Sequence, residues 1–338
     1  MTTNTSTSIS GNSPLDTQQT AVLLAALTYS SDPQTDIATY LPGWSIVWNG
    51  TQSYDGNYAF IALDPAATTY ALAIRGSLPP FDVFNNWNAF ANWVLEDLDV
   101  VTRVSWPYAA TSNPLISNGA NTAFTNMQQM VDQLGSGLSI YEYLKANAVQ
   151  PDNGKQVLIT GHSLGGNIAN VYASYFVTAL AGDGYPAFND STSLVTFAAP
   201  APGNADFATD LDAKITNAWH YENDQDIVPK FPHYSTVLLV GFMYIGGPSA
   251  KEITTTLDGV TVSLRDAFMT LAGILLAYGY QQQGRNYTVF SNPIDSAFTQ
   301  NTLTDFFSQA GAQHEVVNYA NNLNVVLPLP LVAESRMV

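Results

Sequence analysis

The stretch Gly161-His162-Ser163-Leu164-Gly165-Gly166 places a serine hydroxyl between glycines, and a serine so placed can serve as the nucleophile of an acyl transfer. It attacks a carbonyl at neutral pH only when a histidine takes its proton and a carboxylate orients that histidine. The chain has four histidines, so the search for the base is short. In a nucleophile elbow the partners follow in the order serine, acid, histidine. His162 sits inside the elbow and cannot fold back onto its neighbour, His220 precedes the favoured acid, and His233 follows that acid too closely to occupy a separate strand end. His314 is left as the base. The favoured acid is Asp226, in Trp219-His220-Tyr221-Glu222-Asn223-Asp224-Gln225-Asp226-Ile227-Val228-Pro229, with Asp224 as its close competitor. Both fall where a strand hands over to a loop, which is where sites in open parallel sheets gather. The plainer alternative for either is a turn cap bonded to its own backbone.

Charge that develops on an ester oxygen needs preorganised donors. One is the backbone N–H of Leu164, directly after the serine. Another is offered by Arg75-Gly76-Ser77, where Ser77 has both an N–H and a hydroxyl; a simple glycine turn leaving a strand would read the same way.

These groups need elements to hold them. Val157-Leu158-Ile159-Thr160 reads as a strand running into the elbow, and Asn167 to Leu180 as the helix leaving it. The glycines leave room where strand and helix crowd together. Thr17 to Thr28 reads as a first helix with Ala21, Leu24, Ala25 and Leu27 inward. Ser45 to Trp48, Tyr58 to Leu63 and Tyr70 to Ile74 read as strands, the first two followed by the turn pairs Asn49-Gly50 and Asp64-Pro65. Ala123 to Leu144 is expected to be helical, and Leu194 to Ala198 and Asn217 to Tyr221 to be strands. Ser235 to Ile245 and Ile253 to Leu264 are expected as added strands. Strands alternating with helices predict an α/β fold around a mostly parallel sheet covered on both faces.

At 338 residues the chain can bury a large core without staples. Ten basic against 27 acidic side chains give a formal net charge of −17, which argues against nucleic acid and anionic membranes as partners. The absence of cysteine excludes disulfides, thiolate catalysis and cysteine-ligated metals. Scattered histidines and acidic loops without calcium spacing give no metal site. Met1 to Thr20 lacks the basic and apolar regions of a signal peptide, so the expectation is a chain that stays inside, leaves by another route, or has lost its signal. Ala267 to Tyr280 is too short to span a membrane and reads as a buried or interfacial helix.

The motifs together resemble the class 3 lipases, the fungal-type triacylglycerol lipase family with an α/β-hydrolase-like fold. The resemblance rests on Ile74-Arg75-Gly76-Ser77, Asn92-Trp93 with Asp97-Leu98, Thr160 to Gly166, Thr196-Phe197-Ala198-Ala199-Pro200-Ala201-Pro202-Gly203-Asn204, Asp226-Ile227-Val228-Pro229, and His314 before Tyr319. It implies a triad of Ser163, Asp226 and His314, an oxyanion hole of Ser77 and Leu164, and cofactor-free hydrolysis of long-chain esters at a lipid surface. The chain departs from the pattern at Ile116-Ser117-Asn118-Gly119-Ala120, where the family usually has a histidine and a glycine-aromatic pair, and by lacking cysteine. An insertion at about 235–300, between Asp226 and His314, is a further departure; the expectation is a polar tail over 1–16 and one catalytic domain over 17–338, and the resemblance implies a lid at about 78–98. The aromatic density of Phe81, Phe84, Trp87, Phe90 and Trp93, interleaved with Asn85, Asn86, Asn88 and Asn92, favours the lid over a helix buried on two sides. Phospholipase A1 and short-chain esterase are the enzyme alternatives. A non-catalytic lipid-binding protein is the alternative of another class.

Overall fold

Seven strands form the central sheet in the computed structural model, which describes residues 15–53, 56–76, 87–92, 94–95, 98–149, 154–257 and 259–327. Their spatial order is β1 (Ser45–Asn49), β2 (Ala59–Leu63), β3 (Thr69–Ile74), β6 (Gln156–His162), β7 (Thr192–Phe197), β8 (Asn217–Asn223) and β11 (Tyr287–Phe290). The first three pair antiparallel, and every later neighbour is parallel. Short antiparallel hairpins join β4 (Arg103–Ser105) to β5 (Leu115–Ser117) and β9 (Thr254–Leu257) to β10 (Val260–Ser263).

The sheet is covered on both faces, and the period-two alternation of its strands decides which side chain serves which face. Tyr70, Leu72 and Ile74 of β3 join one core, whereas Ala71 and Ala73 join the other. The first core is closed by α4 (Asn118–Gln129), α5 (Ile140–Asn147), α6 (Leu164–Gly182) and α7 (Ala205–Lys214), the second by α1 (Thr17–Leu27), α2 (Pro33–Tyr40) and α11 (Val316–Asn322). Asp16 and Gln19 form a reciprocal capping box that starts α1, and every residue from Thr20 to Leu27 is buried. The inner side expected for this helix is therefore its whole circumference over that span.

A third core is built from α3 (Trp87–Asn92), α8 (Tyr234–Val240), α9 (Leu264–Leu275) and α10 (Leu303–His314). Trp87 and Phe90 are buried in it: Trp87 meets Phe268 edge-on at 5.0 Å, and Phe90 lies 5.5 Å from Phe231 and 5.0 Å from Phe307. Most of the expected lid, including Phe81 and Phe84, lies outside the described residues.

Two expectations for secondary structure fail. Ala123 to Leu144 is not one helix: α4 stops at Gln129, Gly135 and Gly137 turn the chain at φ +113° and +65°, and Ser139 with Glu142 opens α5 through a second capping box. Ser235 to Ile245 is not a strand, because α8 occupies its first half. The run buries Val237 and Val240, a helical spacing, and stops where Gly241 follows. Ile253 to Leu264 does hold the hairpin β9–β10, and Ala267 to Tyr280 continues α9 into a 3-10 turn that ends at Gly279, φ +60°.

Candidate active site

The elbow comes first in the geometry, as in the sequence. Strand β6 ends at His162, Ser163 has φ +61° and ψ −133°, and α6 begins at Leu164. An L-residue is rarely found there, and the surrounding contacts hold it in place. A Cβ on Gly161 would meet Gly165 O at 2.3 Å, and one on Gly165 would meet Ile74 O at 2.2 Å. Both neighbours are backbone and cannot give way, so the two glycines are what let the turn close onto the end of β3. The Ser163 N–H donates to Phe197 O at 2.9 Å.

Ser163, His314 and Asp226 form one hydrogen-bonded chain. Ser163 Oγ lies 2.9 Å from His314 Nε2, and His314 Nδ1 lies 2.7 Å from Asp226 Oδ2. A carboxylate cannot donate, so Nδ1 carries the proton to Asp226 and Nε2 accepts from the serine. Asp226 has no exposed surface. Its charge is met by three donors: His314, the Tyr319 hydroxyl at 2.8 Å on Oδ2, and the Val228 N–H at 2.9 Å on Oδ1. Burial, with the Asp226 charge beside it, pushes the Tyr319 hydroxyl well above its ordinary pKa, so it stays a donor. Asp224 faces elsewhere, accepting from Ser291 Oγ and the Asn292 N–H.

His162 is buried beside this chain in a fixed tautomer. Its Nε2 lies 2.8 Å from the His314 carbonyl oxygen, which can only accept, so Nδ1 accepts from Tyr29 OH at 2.9 Å. Burial, followed by the neighbouring His314, holds His162 well below the ordinary histidine pKa. It thus anchors the backbone of His314 as a neutral ring. His220 pairs with Thr196 Oγ1 in the sheet and His233 with Ser235 Oγ, so neither enters the chain.

The acid loop is tied at several points. Asn223 Nδ2 donates to Gln313 O and Oε1, and Gln282 Nε2 bridges Ala199 O and Pro229 O at 2.8 Å each. Lys230 pairs with Glu222, which also accepts from Tyr287 OH, closing the loop at its base. Tyr29, Gln282, Tyr287 and Gln313 were not singled out by sequence reasoning, and nothing in their local spacing marks them. Tyr319 entered the motif only as a neighbour of His314.

Leu164 heads α6 and lines a cavity of about 400 Å³ together with Leu98, Asp99, Ser117, Ala120, Asn167, Ile168 and Pro200. Ser77 lies outside the described residues. Among the described residues no group of three His, Asp or Glu side chains is placed to hold a metal ion.

The model of the class 3 lipase family matches residues 71–236, from β3 through the elbow and the acid loop into α8. Over residues 71–236 the chain is similar to the class 3 lipase family. Secreted mono- and diacylglycerol lipase 1 of Fusarium solani is 24% identical to it over 206 residues, which are 59% of this chain and 50% of that one. The chain thus spans about half the length of that curated relative. Among solved structures, M37 lipase matches with a TM-score of 0.75 at 19% identity, over 95% of this chain and 97% of its own. A mutant form of MDLA from Penicillium cyclopium matches with a TM-score of 0.51 at 19% identity, over 89% and 96%. These structures establish the α/β-hydrolase-like fold that the family shares. Among the described residues no helix is long and apolar enough to cross a membrane.

Proposed function

We propose that this chain is a serine carboxylic ester hydrolase of the lipase type, acting on acylglycerol esters through an acyl-enzyme. The observation that carries the proposal is the hydrogen-bonded chain from Ser163 Oγ through His314 to the buried Asp226. In this reading Oγ attacks the ester carbonyl as Nε2 of His314 takes its proton, and Asp226 stabilises the imidazolium that results. The Leu164 N–H, at the start of a 19-residue helix, meets the oxyanion with the helix dipole behind it. Ser77 is the second donor. Collapse of the tetrahedral adduct passes the proton to the leaving alcohol, and water then repeats the sequence on the acyl-enzyme. The single domain of 17–338 needs no cofactor for these steps.

The substrate is presented at a lipid–water interface. Ser163 is only 2% exposed and His314 6%, so an ester reaches Oγ after a covering element withdraws. Helix α3 is the described part of the proposed lid, and ring contacts dock it on α9 and α10. On the paired helices α8 and α9 and the turn after α8, Leu239, Phe242, Ile245, Met269 and Ile274 face solvent, an apolar surface suited to a lipid phase. The name of the Fusarium solani relative supports acylglycerols as the substrate class.

Release of fatty acid from a long-chain acylglycerol emulsion tests the proposal. The purified chain is expected to release it, and Ser163→Ala and His314→Ala are each expected to abolish release. Full activity in either variant would overturn the mechanism.

A further inference from the structure

The turn after α1 delivers a tyrosine to the underside of the elbow. Helix α1 is buried from Thr20 to Leu27 and docks on β6, where Thr160 Oγ1 donates to Ala21 O at 3.3 Å. The helix stops at Leu27, Thr28 Oγ1 ties back to Ala25 O at 2.7 Å, and Tyr29 follows as a buried side chain. Its hydroxyl donates to His162 Nδ1, and the backbone N–H of Gly76 reaches the same phenol oxygen. Gly76 lies just past the end of β3 and directly before Ser77, the second oxyanion donor of the proposed mechanism. The approach is close: a Cβ on Gly76 would sit 2.7 Å from both the phenol oxygen and His162 O.

A second hydrogen-bonded chain therefore lies beside the triad. It runs from the Gly76 N–H to Tyr29 OH, from there to His162 Nδ1, and from His162 Nε2 to the His314 carbonyl at 2.8 Å. The His162 ring also fills the space between its partners, 4.7 Å from the His314 ring and edge-on to Tyr319 at 5.8 Å. Tyr29 precedes the stretch that the family model matches and His314 follows it, so the chain of bonds joins three distant parts of the sequence.

A phenol is well chosen as the donor to Nδ1. It fixes the tautomer that gives His162 an Nε2–H for the His314 carbonyl, and it does so without a charge. A carboxylate in its place would favour an imidazolium at His162, and that charge would oppose the proton His314 must take from Ser163. Burial raises the Tyr29 hydroxyl above its ordinary pKa, so it stays a donor.

We propose that Tyr29 and His162 are positioning residues of the hydrolysis: through the second chain they hold the backbone of His314 in register with the segment that leaves β3 toward Ser77. The inference rests on the ester-hydrolase reading above and adds two residues to its site. Neither side chain touches the substrate. Their effect falls on the transition state, where base and oxyanion donors must be aligned together, and so on kcat.

The test uses Tyr29→Phe, His162→Leu, His162→Gln and the double variant Tyr29→Phe with His162→Leu, assayed on p-nitrophenyl laurate with kcat referred to folded protein. Tyr29→Phe is expected to lower kcat by at least about fivefold, with KM within about twofold of the intact chain. His162→Leu is expected to lose more, and His162→Gln, which keeps an amide donor for the His314 carbonyl, to recover part of that loss. The double variant is expected within about twofold of His162→Leu alone, because effects in one chain do not multiply. A kcat unmoved by Tyr29→Phe, or a double variant that loses the product of the two single effects, would overturn the inference.

Proton spectra of the chain with isotope-labelled histidine read the same relation without turnover, and Tyr29→Phe, which loses one oxygen, carries that test if His162→Leu does not fold. Tyr29→Phe is expected to shift both the His162 ring resonances and the low-field His314 Nδ1–H that bonds Asp226; a His314 resonance that stays in place would overturn the inference. If the intact chain does not hydrolyse p-nitrophenyl laurate, the ester-hydrolase reading fails, while the spectra still decide whether Tyr29 acts on His314 through His162.

Discussion

The hydroxyl of Tyr319 lies 2.8 Å from Asp226 Oδ2, the same oxygen that meets His314 Nδ1. The same hydroxyl accepts the Asn223 N–H at 3.1 Å, so one buried phenol joins the carboxylate to the end of β8. Tyr319→Phe keeps the ring in its pocket and removes both bonds. We expect kcat/KM to fall about tenfold and stability to fall by about 1–3 kcal/mol, because Asn223 and Asp226 each lose a partner away from water. Kinetics and urea unfolding check this together; wild-type values in both would show that the hydroxyl positions nothing.

Gly165→Ala tests the elbow by a different route. The added Cβ would lie 2.2 Å from Ile74 O and 2.7 Å from Gly76 N, so the head of α6 must move away from the end of β3. That would displace the Leu164 N–H, the oxyanion donor of the proposed mechanism. We expect kcat to fall by about a hundredfold or more, the cost of a lost oxyanion donor, with KM changing little. A kcat within about twofold of wild type would mean that the close approach is dispensable.

Two buried neutral histidines predict how stability depends on pH. Burial lowers His220 to about 3, and burial with the nearby His314 holds His162 well below the ordinary value. The unfolded chain takes up a proton on each near pH 6.5 while the fold does not, so the unfolded state binds more protons below that pH. Stability is therefore full above about pH 6.5 and falls as the pH drops, by up to about 1.4 kcal/mol per pH unit for each histidine. His220→Gln should remove about half of that slope between about pH 6.5 and about pH 5, before most carboxylates titrate. Urea midpoints across this range measure it; an unchanged slope would contradict the assignment.

The docking of α3 sets the fourth expectation. Phe90 has no exposed surface and touches Phe231, Phe268 and Phe307. Phe90→Ala should weaken that docking by about 3–5 kcal/mol. Hydrolysis of a dispersed short-chain ester should then rise, and the gain on adding a lipid surface should shrink. An unchanged ratio of emulsion to solution activity would remove α3 from any gating role.

How much of this was legible in the sequence depended on range. The elbow was readable because strand, serine turn and helix fall within a few residues of one another, and the glycines mark a close approach that only they permit. His314 could be reached by counting histidines, since four is a small number to eliminate among. Asp226 was favoured over Asp224, but local spacing left the competitor open, because both lie in one polar loop. It is the fold that turns one toward His314 and the other toward Ser291 and Asn292. Ser235 to Ile245 misled because a short apolar run fits a strand or a buried helix equally well, and only its neighbours decide. Ala123 to Leu144 misled because helix formers flank Gly135 and Gly137 on both sides, although Ser139 and Glu142 carried the signal for a new start. The clamps of the acid loop, Gln282 and Tyr287, come from a segment far along the chain, and no local pattern announces such contacts.

The most direct measurement is covalent labelling of the intact chain with a fluorophosphonate, mapped by peptide mass spectrometry. The account predicts a single adduct on Ser163, absent in Ser163→Ala and slowed by about four to six orders of magnitude in His314→Ala. An adduct that forms undiminished in Ser163→Ala, or an unlabelled wild-type chain that still hydrolyses ester, would contradict it.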